Sequence, residues 1–352
     1  MPDWSASMQQ TFEYYKVDPW TWRDVSKIEN ITSSTITRDS SVSTLGSATI
    51  ETTDSEGEYY FRIYLITIQN GVREKHPLGT FLAQTPSSSF DGKFHSYSID
   101  AYTPLIELKE KLPPIGYSIN RNSNIMDYCY RLTRENARAP VVGTTCEETL
   151  FNDFVANADD TWLAFLVDLQ ANAKHSYDLD EMGRILFAPV QEISALQPRW
   201  TYDDGNSSIL YSDITINRDL YGIPNVVEVI YSNSNGFYYA RAVNDSPSSP
   251  ISTVNRGREI VYRVTNADII GDPSENRIKE YAERVLSEMS SIEYTVSYKH
   301  GYCPTRVGDC VLLNCPKAGL DNVKAKIISQ SIKCEPGCPV SEKAVFNKKL
   351  WR

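Results

Sequence analysis

The segment Tyr59–Gln69, with the sequence YYFRIYLITIQ, restricts the fold of this chain more than any other. Its residues are β-branched, aromatic or aliphatic at nearly every position, which favours a strand. Alternate residues of a strand face opposite sides, so both sides of this one are apolar apart from Arg62. A strand of this kind has to be covered on both faces. We therefore expect a layered, mainly β protein in which a second subunit covers one of the faces.

Turn signals divide much of the remaining sequence into short strands. Asn70-Gly71, Asp91-Gly92 and Asn235-Gly236 are pairs that form tight hairpin turns. Gly308-Asp309 predicts a further turn, followed by a strand at 311–313. Several short strands joined by such turns are typical of antiparallel barrels and sandwiches.

Helical periodicity appears in three segments, 145–156, 160–174 and 274–291. In 160–174, Asp160 can cap a helix whose apolar residues recur at spacings of three and four. In 274–291, Ser274 can cap a helix with one apolar face. The first two segments precede a turn and a short strand at 184–188, which together predict a small α+β unit.

These elements predict an α+β protein that is mainly β. A break at Pro113-Pro114 separates the first two of three predicted regions. Residues 1–115 form an N-terminal extension and a first antiparallel β-barrel, and residues 116–198 form the small inserted α+β domain. Residues 199–352 form a second barrel that contains the 274–291 helix and a cysteine-rich C-terminal part.

The charge and the N-terminal sequence limit the possible functions of this chain and the compartment in which it is made. The net charge of −10 at pH 7 argues against a nucleic-acid-binding role, because phosphate contacts rest on Lys and Arg. An acidic surface that lines a channel would still let DNA pass without binding it. The start MPDWSAS lacks the basic and apolar regions of a secretion signal, and the longest apolar run is too short to span a membrane. We expect synthesis in a reducing cytoplasm and no membrane anchoring.

Nothing in the sequence indicates catalysis. The sequence has no G-x-S-x-G, H-E-x-x-H, P-loop or G-x-G-x-x-G motif. Glycoside hydrolysis uses two carboxylates at a set separation, which sequence order does not give. We expect no catalytic residue among the histidines or the clustered carboxylates, and assign the carboxylates to turns and helix ends. These residues are His76, His95, His175 and His300, and Asp153, Asp159, Asp160, Asp178, Asp180 and Glu181.

Five of the seven cysteines lie near the C-terminus, in the spacing C-x6-C-x4-C-x18-C-x3-C, which is neither a zinc-finger nor a ferredoxin spacing. Three interpretations stay open. The cysteines are plain buried thiols, which a reducing compartment favours, or they bind zinc or an iron–sulfur cluster, or Cys334 and Cys338 form a local disulfide. The candidate metal ligands are Cys303, Cys310, Cys315, Cys334 and Cys338.

Aromatic residues and serines also cluster. Aromatic residues near the N-terminus fit interface anchors or core positions. We expect the Ser-rich stretches 85–89 and 246–252 to be solvated linkers. The clustered aromatic residues are Trp4, Tyr14, Tyr15, Trp20 and Trp22.

The order of features from about residue 20 to 348 resembles that of the baseplate hub and tail-tip hub proteins of tailed bacteriophages. The sequence ITSSTITRDSSVSTLGSATIE (31–51) looks like the first strand and turn of their N-terminal barrel. ADDTWLAFLVDLQANAKH followed by DLDEMGRILFAPV (158–190) fits their middle part. The best fit is NVVEVIYSNSNGFYYARAV, GREIVYRV, ENRIKEYAERVLSEM and then VGDCVLL, within 225–313.

The resemblance implies two barrels similar to the tail-tube subunit in a homotrimer, whose six barrels match a sixfold tube and whose threefold side accepts a spike or tip. The implied partners are the tail tube or distal ring protein, the spike or tip protein and the tape measure protein, with DNA passing unbound. The implied location is the distal end of the virion tail, assembled in the host cytoplasm.

Two alternatives to this function stay open, a tail-associated cell-wall hydrolase and the hub of a contractile injection system. The C-terminal cysteines are not general in the hub family. A lambda-like tail-tip protein holds an iron–sulfur cluster in its C-terminal part, but the spacing in this chain does not assign ligands. We therefore expect no cofactor, with the cluster or zinc as the alternative.

Overall fold

A computed structural model describes residues 2–54, 57–205, 208–233, 236–265 and 274–351. The chain forms two compact units. Unit 1 comprises Met1–Ile214 and Ser297–Ala344, and unit 2 comprises Thr215–Val296 and Val345–Arg352. The division at residues 115 and 198 stays a prediction. Most of the regular structure is strand and it includes a large antiparallel sheet, which confirms the predicted mainly β class.

The elements follow one another along the chain with few long gaps. The strands are β1 (Gln9–Val17), β2 (Asp24–Ile28), β3 (Ile31–Asp39), β4 (Gly46–Thr52), β5 (Tyr59–Gln69), β6 (Val72–Phe90), β7 (His95–Tyr102), β8 (Ser118–Ile119), β9 (Phe154–Val155), β10 (His175–Leu179), β11 (Ile185–Pro189), β12 (Pro198–Asp203), β13 (Thr215–Arg218), β14 (Val226–Asn233), β15 (Gly236–Val243), β16 (Val261–Thr265), β17 (Ser291–Gly301), β18 (Cys310–Cys315), β19 (Leu320–Lys333) and β20 (Pro339–Lys349). The helices are α1 (Ile106–Glu110), α2 (Ile125–Asn136), α3 (Trp162–Ala171), α4 (Thr253–Arg256) and α5 (Glu275–Met289), with 3-10 turns at Ile193–Ala195 and Pro316–Ala318.

The sheet of unit 1 joins strands from both ends of the sequence. Its order is β2-β1-β5-β6-β7-β4-β3-β19, and the pairs along this path are antiparallel. β19 also pairs with β18, and β18 pairs in parallel with β12. Among the described residues this hydrogen-bonded path is open and no closed barrel forms, so the mainly β class holds but the two predicted β-barrels do not close. The reason is the β3–β19 pairing, which continues the N-terminal strands into the C-terminal ones.

The hairpin signals and the long apolar strand are confirmed, with one correction. Asn70-Gly71 forms the turn between β5 and β6, where both residues have positive φ angles of 51° and 78°. Asp91-Gly92 lies in the loop between β6 and β7. Most of β5 is buried on both faces within this one chain, so the expected covering subunit is not needed there. Of the predicted Asn235-Gly236 turn, residue 235 lies outside the described residues.

The helices differ from the prediction at two places. Helix α3 is capped by Thr161, whose Oγ1 accepts from the backbone N of Ala164, rather than by Asp160. The predicted helix at 145–156 is wrong, because this segment contains only the short strand β9 as regular structure. Its side chains lack a buried stripe, and Phe151 is 91% exposed. The helix of this region is α2, capped by Asn124.

The three helices of unit 1 share one core with the large sheet. Trp22 and Tyr60, from the sheet side, pack with Leu105 of the turn before α1, with Cys129 of α2 and with Leu166 of α3. The segment predicted as a small α+β unit therefore buries its apolar faces against the first strands of the chain. This packing fixes β10 and β11 close to β3 and β6, where the cavity described below lies.

Unit 2 is built on the sheet β15-β14-β16 and helix α5. The predicted helix is confirmed: Ser274 accepts from the backbone N of Arg277, and Ile278, Ala282 and Leu286 are fully buried. The stretch 246–252, expected to be a solvated linker, is instead partly packed. Ser249 and Ser252 are buried, and Asn244 donates to Ser249 Oγ at 2.8 Å.

Candidate functional site

A cavity of about 410 Å³ opens in unit 1 between the large sheet and the β10–β11 hairpin. Its size lies in the range typical of small-ligand sites. The sheet contributes Leu78 and Phe81, the hairpin side contributes Val190, and the loop before β18 contributes Arg306 and Asp309. The cavity is thus lined by both apolar and charged side chains.

The charged lining includes Arg306, which is the centre of an ion-pair network. Its guanidinium lies 2.8 Å from Asp178 Oδ2 and 3.7 Å from Glu181 Oε2. Burial alone would lower the pKa of Arg306, but these carboxylates outweigh it and raise the pKa. Asp309 Oδ2 accepts from the backbone N of Arg306 at 2.9 Å, while burial raises the pKa of the Asp309 carboxyl.

The amino-acid sequence alone did not predict this network of ion pairs. Asp178, Asp180 and Glu181 were assigned to a turn, and the structure pairs all three with arginines. Asp180 pairs with Arg184 four residues along, but Arg306 comes from a distant part of the sequence. Two of the other clustered carboxylates accept from backbone groups: Asp153 accepts from the N of Arg121, 32 residues earlier, and Asp160 accepts from the N of Asn157.

A second polar cluster lies wholly inside unit 1, around the carboxylate of Glu342. His300 Nε2 lies 3.3 Å from Glu342 Oε2, and both side chains are 0% exposed. The carboxylate also accepts from Tyr298 Oη at 2.7 Å, from Thr305 Oγ1 at 3.0 Å and from Gln330 Nε2 at 2.7 Å. A buried charge requires such a set of partners. The donors all bond to the Glu342 carboxylate, and none of these residues lines the cavity described above, so we assign the cluster to stability.

The two charges in this cluster hold each other ionised. Burial would raise the pKa of Glu342, but the hydrogen bond and charge of His300, with the Tyr298 and Gln330 bonds, keep it below its ordinary 4.5. Burial would lower the pKa of His300, but its bonds to Cys303 and Glu342 raise it to about 10 from 6.5. The pair therefore stabilises most between pH 4.5 and 6.5. The His300 contribution fades as pH rises toward 10, and the Glu342 contribution fades as pH falls below 4.5.

We predict that wild-type stability falls as pH rises from 6.5 toward 10, because unfolded His300 releases its proton at a lower pH than folded His300. His300→Gln should be less stable at pH 6 and should lose this part of the pH dependence. Urea unfolding at pH 6, 7.5 and 9 measures both effects. His175→Gln, at a partly exposed position, is the matched control and should keep the wild-type slope. An unchanged slope in His300→Gln would contradict the assignment.

The structure does not bring the cysteines of the described ranges together into one cluster. All seven are free thiols, and the residues of the described ranges include no group of three or more potential metal ligands. Cys303 contacts the Glu342 cluster through Tyr202 Oη at 3.2 Å. Cys310 and Cys315 lie at the two ends of β18. Cys334 and Cys338 flank one turn. Burial raises the pKa of Cys334 to about 12 and also raises the pKa of Cys338. The metal and disulfide interpretations stay untested predictions.

The remaining histidines and the early aromatic residues mostly serve packing. His76 and Trp4 form an edge contact at 5.1 Å, and His175 starts β10 with Nδ1 at 2.7 Å from Ala173 O. Tyr14 and Trp22 are buried and Tyr15 is half-buried. Trp20, by contrast, is 81% exposed.

One further surface projects from unit 1. The ends of β6 and β7 form a hairpin, Thr85–Asp100, whose β7 strand also pairs with β4 as far as Thr52↔Tyr97. The stretch 85–89, expected to be a linker, is regular strand within it, paired with β7 from Thr85↔Asp100 to Phe90↔His95. Phe90 and Phe94 at its tip are 59% and 63% exposed. Among the described residues, no helix is long and apolar enough to cross a membrane.

The fold is that of phage tail proteins. The tail protein from Neisseria meningitidis MC58 matches with a TM-score of 0.61 over 97% of this chain and 98% of that chain, at 9% identity. The 43 kDa tail protein of prophage MuSo2 from Shewanella oneidensis matches with a TM-score of 0.61 over 95% and 98%, at 11% identity. The predicted resemblance is thus confirmed at the level of the fold.

A chain from the half-lidded Francisella PdpA-VgrG complex is also similar. It matches with a TM-score of 0.55 over 96% of this chain and 58% of that chain, at 8% identity. The sequence matches no protein-family model and no curated protein. The likeness therefore rests on the three-dimensional arrangement and not on shared sequence motifs.

Proposed function

We propose that this chain is a structural, non-catalytic protein of a phage tail, which forms a homotrimeric hub at the distal end of the tail tube. The observation that carries the proposal is the fold match to two tail proteins over nearly the full length of all three chains.

The hub adapts a sixfold tube to a threefold spike or tip. Its partners are the tail tube or distal ring protein, the spike or tip protein and the tape measure protein. The net charge of −10 suits a wall past which DNA moves without being bound. Assembly takes place in the host cytoplasm, and the product is part of the virion.

Mass measurement tests the trimer directly. Multi-angle light scattering and mass photometry of the purified full chain should give three times 39.8 kDa. A visible absorption spectrum of the same sample examines the cysteines, because a thiolate-bound iron–sulfur cluster is coloured. A chain that stays monomeric even with its tube and tip partners would overturn the adapter role.

Two alternatives have separate tests. A cell-wall hydrolase would clear peptidoglycan in a zymogram, which we expect this protein not to do. The hub of a contractile injection system is the second candidate, and the fold match to a chain of the PdpA-VgrG complex favours it. The genes next to this one distinguish it from a phage tail, because the two kinds of particle require different neighbouring components.

A further inference from the structure

The walls of the cavity in unit 1 are held in place by the protein itself. The Gly183 turn of the β10–β11 hairpin lies so close to β6 that a Cβ atom at this glycine would come within 2.6 Å of Thr80 Cβ. Arg306, from the loop before β18, binds the same hairpin through Asp178 at 2.8 Å. Cavities that are already formed in this way are the usual binding sites of small molecules.

The lining of the cavity is more apolar than polar. Leu45, Leu179 and Leu196 are lining residues that are only half-buried, so each keeps accessible apolar surface. Val190 is a further lining residue and is 60% exposed. Covering apolar surface of this kind with hydrocarbon is favourable, at about 25 cal/mol for each Å². A molecule that fills the cavity therefore needs an apolar body.

Six charged side chains of the described residues line the cavity, and five of them have partners within unit 1. Arg38 Nη1 donates to Gln330 Oε1 at 2.9 Å. Asp309 Oδ2 lies 3.4 Å from Arg199 Nε, in addition to its bond from a backbone N. The five lining groups with partners are Arg38, Arg306, Asp178, Asp180 and Asp309.

Lys326 is the sixth charged group of the lining. It lies on β19 opposite Cys310 and is half-buried. Within the described ranges its ammonium group has no hydrogen bond and no ion pair. An ammonium group that is partly removed from water is stabilised by an anion beside it. The cavity thus has one positive charge that is left for a ligand.

The other lining charges limit what that anion is. Asp178 and Asp309 belong to the same lining, and their carboxylates repel additional negative charge. A phosphate group brings close to two negative charges at pH 7, whereas a carboxylate brings one. One unpaired lysine among carboxylates therefore suits a single carboxylate.

We propose that this cavity binds a small molecule with an apolar body and one carboxylate. The carboxylate pairs with the Lys326 ammonium group, and the apolar body packs against Leu45, Leu179 and Leu196. The inference goes beyond the proposed hub and does not depend on the trimer, because every residue that it uses belongs to unit 1 of one chain.

The first test compares decanoate with 1-decanol, which have the same apolar chain and differ in charge. Isothermal titration calorimetry of the purified full chain at pH 7.5 should give an affinity for decanoate about 10-fold higher than for decanol, the effect of one charge-assisted hydrogen bond. Lys326→Met should bind decanoate about 10-fold more weakly and decanol unchanged. Lys333→Met, at an exposed position of the same strand, is the matched control and should bind both as the wild type does.

A second pair of variants locates the bound molecule. Val190→Trp places a large side chain in the lining and should abolish the binding of decanoate. Val155→Trp makes the same change at a valine that is 57% exposed and does not line the cavity, so decanoate should still bind. Circular dichroism verifies that each variant is folded.

A third measurement uses the wild-type protein alone. A free ammonium group reacts with an N-hydroxysuccinimide acetate ester, and mass spectrometry of peptides gives the rate at each lysine. Decanoate should slow the acetylation of Lys326 and leave that of Lys333 unchanged.

Three results would overturn the inference: no saturable binding of decanoate to the wild type, equal affinities for decanoate and decanol, or decanoate binding that persists in Val190→Trp. Acetylation of Lys326 at the same rate with and without bound decanoate would do so too. The proposed hub would stand after any of them, because the mass measurement tests it separately.

Discussion

Replacing Glu342 by Leu is expected to lower the free energy of unfolding by about 3–5 kcal/mol, the usual cost of removing one partner of a buried ion pair. The change leaves the His300 imidazolium, 3.3 Å away, without its counter-charge in a fully buried site. It also removes the acceptor for Tyr298, Thr305 and Gln330. Since the cluster joins the parts of β17, β19 and β20 that belong to unit 1, the loss should affect the unfolding of this unit.

Two further variants make this prediction specific. Glu342→Gln keeps the shape and one oxygen acceptor but removes the charge, so it should cost less, about 1–3 kcal/mol. Glu335→Leu changes an exposed glutamate in the turn before β20 and should stay within about 0.5 kcal/mol of wild type. Urea unfolding followed by tryptophan fluorescence measures all three. Equal stability of Glu342→Leu and Glu335→Leu would show that the cluster is not needed for stability.

Local signals in the sequence predicted the strands better than the way they join. The alternation in 59–69 and the pair Asn70-Gly71 both act within a few residues, and both specify β5 and its turn correctly. The β3–β19 pairing joins Ile36 to Ile332, and no local rule specifies such a partner. This pairing of distant segments joins the strands of the two expected barrels into one open sheet.

The helix prediction failed for a segment that has almost no buried face. Segment 145–156 contains plausible helix formers, but few of its side chains have a core to face, and only Leu150 is buried. The missed helix α2 has the signal that was needed: Ile125, Met126, Cys129 and Leu132 are all buried. These residues recur at helical spacing directly after Asn124, a capping residue.

No local sequence pattern predicts the Glu342 cluster or the Arg306 network. Glu342, Tyr298 and Gln330 are ordinary residues in strand-like surroundings, and only the fold brings their side chains to one point. The sequence around His300 indicates no catalytic role, and the structure gives this histidine a buried partner, Glu342. The same holds for Arg306, whose acidic partners lie more than a hundred residues earlier.

Arg62 is the residue that interrupts the apolar run of β5, and Arg62→Met is expected to lower the free energy of unfolding by about 3–5 kcal/mol. Its side chain is 1% exposed. Nε donates to Thr80 Oγ1 at 2.8 Å and Nη1 donates to Asp24 Oδ1 at 2.5 Å. Nη2 lies 3.1 Å from the carbonyl oxygen of Met182. The substitution roughly keeps the volume of the side chain but removes the guanidinium that pairs with Asp24 and the donor to Thr80. Asp24 keeps the hydrogen bond from Tyr64 Oη, and the Met182 carbonyl keeps the one from Trp22 Nε1.

Arg62 also links two parts of unit 1, since Asp24 lies on β2 and Met182 lies in the β10–β11 turn. Arg73→Met is the matched control, because Arg73 lies on the adjacent strand with its side chain 53% exposed and pairs with Glu13 at 3.2 Å. An exposed pair of this kind contributes at most about 1 kcal/mol.

A double-mutant cycle decides whether the charge or the lost packing causes the effect. If the uncompensated carboxylate of Asp24 dominates, Arg62→Met with Asp24→Asn should cost clearly less than the sum of the two single changes. If the effects simply add, the cost lies instead in the donors lost to Thr80 and to the Met182 carbonyl. If Arg62→Met is as stable as Arg73→Met, the packing of methionine compensates for the loss of the whole network. Well-packed apolar residues often replace buried ion pairs without loss of stability.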